Sequence, residues 1–510
     1  MHRSSKLATC ITRRKTWNIP DLLMGTAVSG AMLAFFSRQL KSEDVYADSR
    51  VPKPLIRAHM MQEKDFASFQ KEYDFIEEIG SGGFAEIWKV RHKLTGFVRA
   101  AKVVKLNSDR EYRFFRNEVD VLKKLDSPYN VRIVDSFCSR DGSKLGQHWQ
   151  PRRGVIVYHY IKGKDLLDTI NQRIAAKQKF TEPEIVSITK QILKGLCYVH
   201  KCGFLHRDIK PENFIVEVDD SPCGFNLKLI DFGLSRSSAL AINPNERTSG
   251  TWFYSAPETA NNAYTDKSDV WSAGVIITML ASQGTALIGR STSMGVAGVK
   301  RIRDPDFVFT EIDKLSRRGI SSPMVGLLKK MLDPDVNTRI SPIEALNDSA
   351  LATTLSREHA EDDGIDRWRR NREAYALAPL FARYMRRLFV HQIDDSELSR
   401  LRFLFRILDK GANGYVTVSG LHDEERYGYE EFLAVGLEKE DIKTHLGSFF
   451  RYVSDRSGVV TVEELGRIFP GLERDFLQEI MQSCRPGEKS NLAIAMNLND
   501  FERCMNSEMT

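Results

Sequence analysis

Two short runs near the middle of the chain contain three side chains, two carboxylates and an amide, that could take part in phosphoryl transfer. The runs read HRDIKPEN over residues 206–213 and DFG over residues 231–233. A carboxylate can accept the proton of an attacking hydroxyl, and Mg²⁺ prefers a few oxygen ligands together with phosphate. Asp208 has the side chain for the first task, and Asn213 and Asp231 have those for the second. The residue types and their order therefore indicate phosphoryl transfer from a nucleotide that carries Mg²⁺.

These two runs resemble the catalytic and metal loops of the protein kinase family. The resemblance implies that Asp208 is the catalytic base and that Asn213 and Asp231 hold Mg²⁺. Lys210, two residues after Asp208, is the family's mark of specificity for serine and threonine rather than tyrosine. ATP is then the implied phosphoryl donor, and the implied acceptors are hydroxyl groups of protein substrates.

A glycine-rich turn precedes these loops. Residues 73–79 and 86–90 have strand character, and Gly80-Ser81-Gly82-Gly83-Phe84-Ala85 lies between them. Glycines allow backbone amides to approach a phosphate closely. Ala85 stands where the family pattern has its third glycine, so we expect a modest restriction of the loop. The following segment, residues 99–102, resembles the family's third strand, in which Lys102 would hold the α- and β-phosphates and Ala100 would pack on the adenine.

The resemblance extends to the helix and hinge that complete a nucleotide site. Residues 110–125 show helical apolar spacing, and Glu118 resembles the glutamate that pairs with the third-strand lysine, with Glu111 as the alternative. Counting back from Gly163 places Tyr158 at the gatekeeper, the hinge at residues 159–161, and Asp165 at the ribose. The implied nucleotide contacts are Gly80, Ser81, Gly82, Gly83, Phe84, Ala85, Ile87, Ala100, Lys102, His159, Ile161, Asp165 and Ile215.

The activation segment ends in a further match to the family. Ala256-Pro257-Glu258 closes it, and Arg339 matches the late arginine that pairs with Glu258. Arg207 beside the catalytic base is the residue that often binds an activation-loop phosphate, because arginine pairs well with a dianion. Thr248 and Ser249 are the candidate acceptors. Glu246 is the alternative, because it would supply a permanent negative charge there.

Length and composition are typical of a soluble protein of two to four domains. The chain has 510 residues and a net charge of +6, and residues 1–20 contain five basic residues and no acidic one. The remainder is near neutral, which argues against nucleic-acid binding. Seven cysteines are scattered without a C-x-x-C pair. That spacing argues against a zinc site and a disulfide framework, and it suggests a reducing compartment.

The N-terminal segment predicts targeting or membrane attachment. Leu22–Phe36 is a run of fifteen uncharged residues, whereas a spanning helix needs roughly 17–25. Three interpretations stay open: a mitochondrial-type presequence, a secretory signal, and a short anchor over residues 17–36. A fourth is an apolar helix packed on the catalytic domain. Residues 41–70 are polar, contain two prolines and read as a linker.

Two features follow the kinase-like region. Residues 377–393 form a basic amphipathic helix, which is typical of a calmodulin target or an intramolecular partner. Residues 409–417 then resemble the start of an EF-hand loop, with Asp409 at its first position and Gly414 at its sixth. Its third and twelfth positions are Gly411 and Gly420, so two ligands are missing.

A second copy of the loop runs from Val453 to Glu464. Asp455, Ser457 and Glu464 fit calcium-ligand positions three, five and twelve, but Val453 stands where the first carboxylate belongs. Residues 427–432 and 496–501 resemble the ends of two further loops without ligands ahead of them. No loop is complete, so we expect calcium to bind weakly if at all.

The order of these parts resembles the calcium-dependent protein kinases. It implies an α+β, bilobal kinase fold over residues 71–352 and a charged linker and junction helix over 353–395. An all-α EF-hand-like domain then covers 396–510, and the targeting segment 1–40 and linker 41–70 precede the kinase. A serine/threonine kinase is the leading hypothesis. A calcium-activated kinase with a working sensor tail and a pseudokinase scaffold are the alternatives, and the intact Lys102, Asp208, Asn213 and Asp231 argue against the scaffold.

Overall fold

The computed structural model describes residues 63–81, 85–139, 144–145, 148–149, 152–217, 225–238, 252–284, 300–352, 358–417, 426–455, 457–470, 472–484 and 495–507. The predicted targeting segment 1–40 lies outside these ranges, as do Gly82, Gly83, Phe84, Glu246, Thr248, Ser249 and Gly420. Among the helices of the described ranges, none combines the length and the apolar character needed to cross a bilayer.

The N-terminal lobe is built on a six-stranded sheet. Its strands are β1 (Lys64–Asp65), β2 (Tyr73–Ser81), β3 (Ala85–His92), β4 (Val98–Leu106), β5 (Ile133–Cys138) and β8 (Arg152–His159). Between β5 and β8, β6 (Lys144–Leu145) and β7 (His148–Trp149) form a separate short hairpin. The order is β1-β5-β8-β4-β3-β2, and only β1 and β5 pair in parallel. Helix α1 (Phe66–Glu72) precedes β2, and α2 (Asp109–Lys124) packs against β4 and β5.

β1 and the greater part of α1 lie inside the segment that the sequence predicted to be linker. The Lys64 ammonium is 2.7 Å from a carboxylate oxygen of Glu72 and 3.0 Å from one of Asp135. Phe69 is buried, and its ring stacks on Tyr73 and meets Phe137 edge-on. The lobe therefore begins several residues before the predicted boundary at residue 71.

The C-terminal lobe is mainly helical. Its helices are α3 (Leu166–Ala175), α4 (Glu182–Lys201), α5 (Asp266–Ala281), α6 (Pro305–Asp313), α7 (Ser322–Met331) and α8 (Pro342–Leu346). Nearly every side chain of α5 is buried, as expected for a helix that is apolar on all sides and central to a lobe. A capping box between Thr181 and Glu184 fixes the start of α4.

Short strands form the floor of the cleft between the lobes. β9 (Gly163–Asp165), β11 (Phe214–Glu217) and β12 (Asn226–Leu229) make a three-stranded sheet, and β10 (Phe204–Leu205) pairs with β13 (Arg236–Ser237). Gly163 must be glycine, because a Cβ there would collide with the backbone carbonyl of Val216.

The C-terminal region is helical. Its helices are α9 (Glu358–Leu377), α10 (Leu380–Gln392), α11 (Ser399–Leu408), α12 (Tyr429–Gly436), α13 (Lys439–Lys443), α14 (Leu446–Ser454), α15 (Val462–Ile468), α16 (Arg474–Gln482) and α17 (Leu498–Met505). The predicted all-α domain also holds one short antiparallel pair, β14 (Tyr415–Thr417) with β15 (Arg426–Gly428), and a single bridge between Val460 and Met496. Helix α10 lies within its core, where Phe381 packs on Phe501 and Phe389 on Phe449.

One expectation about cysteines needs correction. Cys484, just after α16, and Cys504 in α17 form a disulfide, although the scattered spacing argued against a disulfide framework and suggested a reducing compartment. The sequence could not indicate this pair, because helix packing rather than a local motif brings the two residues together. The other described cysteines, Cys138, Cys197 and Cys202, are free thiols.

Candidate active site

Lys102 and Glu118 form the ion pair that the resemblance implied. The Lys102 ammonium donates to Oε1 of Glu118 at 2.8 Å and to Oε2 at 2.9 Å. It also donates to Oδ1 of Asp231 at 2.9 Å. Glu111, the alternative partner, instead accepts from the backbone amide of Ser108 in the capping box that starts α2. The structure thus places a strand lysine, a helix glutamate and the aspartate of the DFG run in one cluster.

Lys102 and Asp231 stabilise each other's charges, whereas burial raises the pKa of Glu118. The field of Lys102 holds the pKa of Asp231 well below its usual range. Burial opposes the charge of Lys102, but the adjacent Glu118 and Asp231 outweigh it and raise the pKa of the lysine. Asp231 also adopts a left-handed backbone with φ of 60°, which few residues other than glycine, asparagine and aspartate adopt. Such conformations concentrate at functional sites.

The catalytic loop holds Asp208 from two sides. The Lys210 ammonium lies 2.7 Å from Oδ2 of Asp208, and the Asn213 amide donates to that same oxygen at 3.1 Å. Asn213 also donates to the backbone carbonyl of Asp208 at 2.6 Å. Because the amide nitrogen of Asn213 points to Asp208, its amide oxygen is the atom that can bind a cation. One amide oxygen and the Asp231 carboxylate suit Mg²⁺, which keeps few protein ligands and completes its shell with water and phosphate.

Asp269, at the start of α5, fixes the position of the catalytic loop. Its carboxylate accepts from the backbone amides of His206 and Arg207, both at 2.9 Å, and from Nε2 of His200 at 2.7 Å. Asp269 is buried, and burial acts to raise its pKa, but these partners outweigh it and lower the pKa. No local pattern reveals this role of Asp269, since its partners lie more than 60 residues away in the chain.

The sheet brings together the predicted nucleotide residues of the N-terminal lobe. Ile87 of β3 lies opposite Gly80 of β2 and opposite Lys102 of β4. Ser81 ends β2 and Ala85 begins β3, so they flank the glycine-rich turn. On β4, Ala100 lies two residues before Lys102, so both side chains point to the same face of the sheet.

The C-terminal lobe supplies the other predicted nucleotide residues. Ile215 of β11 pairs with Asp165 of β9 on the floor of the cleft. The Asp165 carboxylate caps α3 through the backbone amide of Asp168 at 2.7 Å, and partial burial raises its pKa. Ile161 packs against the main core. These positions leave Asp165 half-buried at the cleft, where a ribose hydroxyl could meet it.

Comparison with known proteins agrees with this geometry. The family model of the protein kinase domain matches residues 73–351. The chain belongs to the protein kinase family. Similar curated proteins include calcium-dependent protein kinase 4 of Plasmodium falciparum (isolate 3D7), 28% identical over 397 residues that cover 76% of this chain and 69% of the relative. Calcium-dependent protein kinase 4 of Plasmodium berghei (strain Anka) is 26% identical over 454 residues, which cover 82% of this chain and 80% of the relative. Calcium-dependent protein kinase 3 of the same species is 27% identical over 423 residues, which cover 78% of this chain and 72% of the relative.

A second feature of the kinase family is confirmed in the C-terminal lobe. Arg339 is fully buried and donates to both carboxylate oxygens of Glu258, at 2.6 and 2.9 Å. The Ser268 hydroxyl donates to Glu258 as well, at 2.7 Å. This pair ties the end of the activation segment to the helical lobe.

The side chain of His159 turns away from the nucleotide site. Its Nδ1 is 3.1 Å from the Asp394 carboxylate, and its Nε2 is 3.0 Å from the carbonyl oxygen of His391. Only the backbone of His159 is therefore left to meet adenine, and its imidazole binds the segment that follows α10. Burial lowers the pKa of His159 to about 4, and a neutral ring donates to only one of these two acceptors at a time.

Two buried arginines of the N-terminal lobe hold the same segment. Arg132 donates to the carbonyl of Val390 at 3.0 Å and to the Glu430 carboxylate at 3.2 Å. Arg99 donates to Asp394 at 2.8 Å and to the carbonyl of Gln392. Residues 377–393 therefore have an intramolecular partner. No sequence motif indicates the role of these arginines, because their partners stand 258–298 residues later in the chain.

The candidate calcium ligands are bound to the chain itself. Arg467 lies 3.3 Å from the Asp455 carboxylate. Glu464 accepts from the backbone amide of Thr461 at 2.9 Å, in the capping box of α15. The Ser457 hydroxyl donates to the carbonyl of Val459 at 2.7 Å. In this arrangement each of the three predicted ligands has a protein partner.

Asp409, the first residue of the earlier loop, has protein partners too. Both of its carboxylate oxygens accept backbone amides, from Asn413 and from Gly414, each at 3.0 Å. Asp409 is buried, and this burial raises its pKa. The carboxylate thus shapes the turn of its own loop.

Proposed function

We propose that this protein kinase transfers the γ-phosphoryl group of ATP to serine and threonine hydroxyls of protein substrates. The observation that carries the proposal is the catalytic loop, in which Lys210 and Asn213 hold the Asp208 carboxylate beside the metal-binding positions. Asp208 would accept the proton of the substrate hydroxyl. Lys210, 2.7 Å from that carboxylate, would stabilise charge that develops on the transferred group.

Mg²⁺ would supply charge neutralisation between the phosphates, held by Asn213 and Asp231. Lys102 would reach the α- and β-phosphates from β4, oriented by Glu118. Phosphoryl transfer depends almost entirely on positioning and electrostatic stabilisation. A structure that fixes each of these side chains through a second partner therefore supports an active enzyme more than a scaffold.

Substitution of Asp208 by asparagine tests this function. Turnover of a serine-containing basic peptide with Mg-ATP should fall at least about 100-fold, because the substrate hydroxyl loses its proton acceptor. Asp313→Asn, which changes an exposed carboxylate at the end of α6, is the matched control and should retain activity. Wild-type turnover no higher than that of Asp208→Asn would contradict the proposal and favour the scaffold.

We further propose that the C-terminal region is an EF-hand-like domain that stays docked on the kinase without calcium. Two observations support the domain type. β14 and β15 pair between α11 and α12, in the region of the first predicted loop. The Val460–Met496 bridge joins the eighth position of the Val453–Glu464 loop to the beginning of the last predicted loop end. Support for the missing calcium dependence comes from the protein partners of Asp455, Glu464 and Asp409.

A further inference from the structure

The hydroxyl of Tyr158 contacts the catalytic ion pair. Tyr158 lies on β8, opposite Ala100 of β4 and opposite Ile133 of β5. Its hydroxyl donates to Oε1 of Glu118 at 2.9 Å. Both side chains are buried, with 8% of Tyr158 and 3% of Glu118 exposed, so water does not compete for this hydrogen bond.

The donors of Lys102 are fully used in this structure. An ammonium group has three N–H donors, and Lys102 directs them at the two oxygens of Glu118 and at Asp231. A nucleotide phosphate must take at least one of these donors. When that donor is one of the two now directed at Glu118, the carboxylate loses part of its partner set, and a buried carboxylate with an unsatisfied oxygen is costly.

We propose that Tyr158 is a positioning residue for phosphoryl transfer: its hydroxyl holds Glu118 toward Lys102 while Lys102 turns to the phosphates. The Tyr158 bond does not involve Lys102, so it persists when the lysine donors are redistributed. Glu118 thus keeps one donor from β8 at all times, and the orientation of Lys102 is kept with it.

The opposite face of β8 is fixed as well. Successive side chains of a strand point to opposite faces, so Tyr158 points to α2 and His159 points to the C-terminal region. Asp394 and the carbonyl of His391 hold the His159 ring. The strand that presents the Tyr158 hydroxyl is therefore held in place from its other face by residues of the C-terminal region.

Tyr158→Phe tests the role, since it removes one oxygen atom and leaves the ring. With Mg-ATP and a basic serine peptide, kcat/KM for ATP should fall about ten-fold, the equivalent of one hydrogen bond to a charged group. KM for the peptide should not change, because Tyr158 does not contact the peptide site. Tyr198→Phe is the matched control. It removes a buried hydroxyl that accepts the Asp126 amide at 2.8 Å, and it should retain wild-type kinetics.

A double-mutant cycle separates positioning from packing. In a Glu118→Ala background the Tyr158 hydroxyl has no carboxylate to hold, so Tyr158→Phe should cause no further loss of kcat/KM. The inference rests on the proposed kinase activity, and active wild-type protein establishes that activity independently. Given an active wild type, two results would overturn the role of Tyr158. One is wild-type kinetics of the Tyr158→Phe variant. The other is an equal loss of kcat/KM from Tyr158→Phe whether residue 118 is glutamate or alanine.

Discussion

Arg467 places a positive charge within the most complete of the calcium-like loops. Its guanidinium lies 3.3 Å from Asp455 and donates to the backbone carbonyl of Val453 at 3.2 Å. Calcium requires 6–8 oxygen ligands, and its affinity depends on ligand number and charge. Here the first carboxylate is replaced by Val453, and the arginine neutralises the carboxylate at position three. A calcium ion that binds this loop would therefore have to displace the Arg467 guanidinium from Asp455.

The double substitution Val453→Asp with Arg467→Gln should create a calcium site. It restores the first carboxylate and removes the competing charge, so calcium affinity of the full chain should rise at least about ten-fold over wild type. Calorimetric titration measures the change. Wild-type kinase activity should be the same in free calcium and in chelator, because the docked region does not depend on the ion.

Val459→Asp with Arg467→Gln is the matched control. It adds an equal charge at the seventh position, which binds calcium through its backbone carbonyl rather than its side chain. A calcium affinity equal to that of the Val453→Asp, Arg467→Gln variant would mean that added charge alone raises the affinity. The loop positions assigned to residues 453–464 would then be wrong. Micromolar binding by the wild type, together with a calcium-dependent rise in activity, would instead identify the region as a true sensor.

At the scale of elements, α10 joins the kinase to the C-terminal region. Arg132 holds Val390 in its last turn, and His159 holds the carbonyl of His391. On the other side, the buried Arg386 donates to the carbonyl of Met505 at 2.9 Å, where a cation stabilises the end of α17. The helix is therefore bound on two faces by two different domains.

The folded chain should lose stability in mild acid because His159 is buried. His159 faces Arg99, Arg132 and Asp394, and burial lowers its pKa to about 4, against 6.5 when unfolded. Between pH 4 and pH 6.5 the unfolded chain therefore binds more protons than the folded chain. The contribution of neutral His159 to stability is fully present above pH 6.5 and is lost as the pH falls toward 4. His159→Gln should reduce the slope of the unfolding free energy in that window by up to about 1.4 kcal/mol per pH unit. Urea unfolding at several pH values measures it.

A residual slope will remain in that variant. Burial also lowers the pKa of His92 to about 4, and His92 titrates in the same window. His92→Gln is therefore the matched control, and the double variant should lose both contributions. An unchanged slope in His159→Gln would show that this histidine does not couple protonation to folding.

The elements show what the sequence could and could not predict. Catalytic motifs are local in the chain, so the resemblance to the kinase family assigns expected roles to Lys102, Asp208, Asn213 and Asp231. The apolar period of residues 377–393 predicted α10 but not its partner, because amphipathicity reveals a buried face without identifying what covers it. Arg99, Arg132 and the Tyr158 hydroxyl gave no signal, since their roles depend on contacts between distant segments.

At the scale of the described molecule, the C-terminal region contacts both kinase lobes. Arg99 and Arg132 bind it from the N-terminal lobe. From the C-terminal lobe, Lys194 donates to the carbonyl of Arg406 at 2.9 Å, and Glu217 pairs with Arg402 at 2.8 Å. A body attached to both lobes limits their relative rotation, which a hinge alone would permit. Its docking should therefore stabilise one arrangement of the cleft.

The N-terminal segment adds a further prediction about the whole chain. We propose that residues 1–40 direct the protein to a membrane or an organelle, because five basic residues and no acidic one precede the uncharged run Leu22–Phe36. A truncated protein that begins at residue 41 should move from the membrane or organelle fraction to the soluble fraction of fractionated cells. Its kinase activity should remain, since the described catalytic residues begin well after this segment.

Two full-length variants distinguish the mechanisms of attachment. Replacement of Arg3, Lys6, Arg13, Arg14 and Lys15 by glutamine should abolish organelle import if the segment is a presequence, because such sequences depend on positive charge. Arginine at Ala31 and Leu33 should instead abolish insertion if the segment is an anchor, because a charge at the bilayer centre costs about 2.5–3.5 kcal/mol per residue. Identical fractionation of the truncated and full-length proteins would contradict the proposal, since the apolar run would then have no role in targeting.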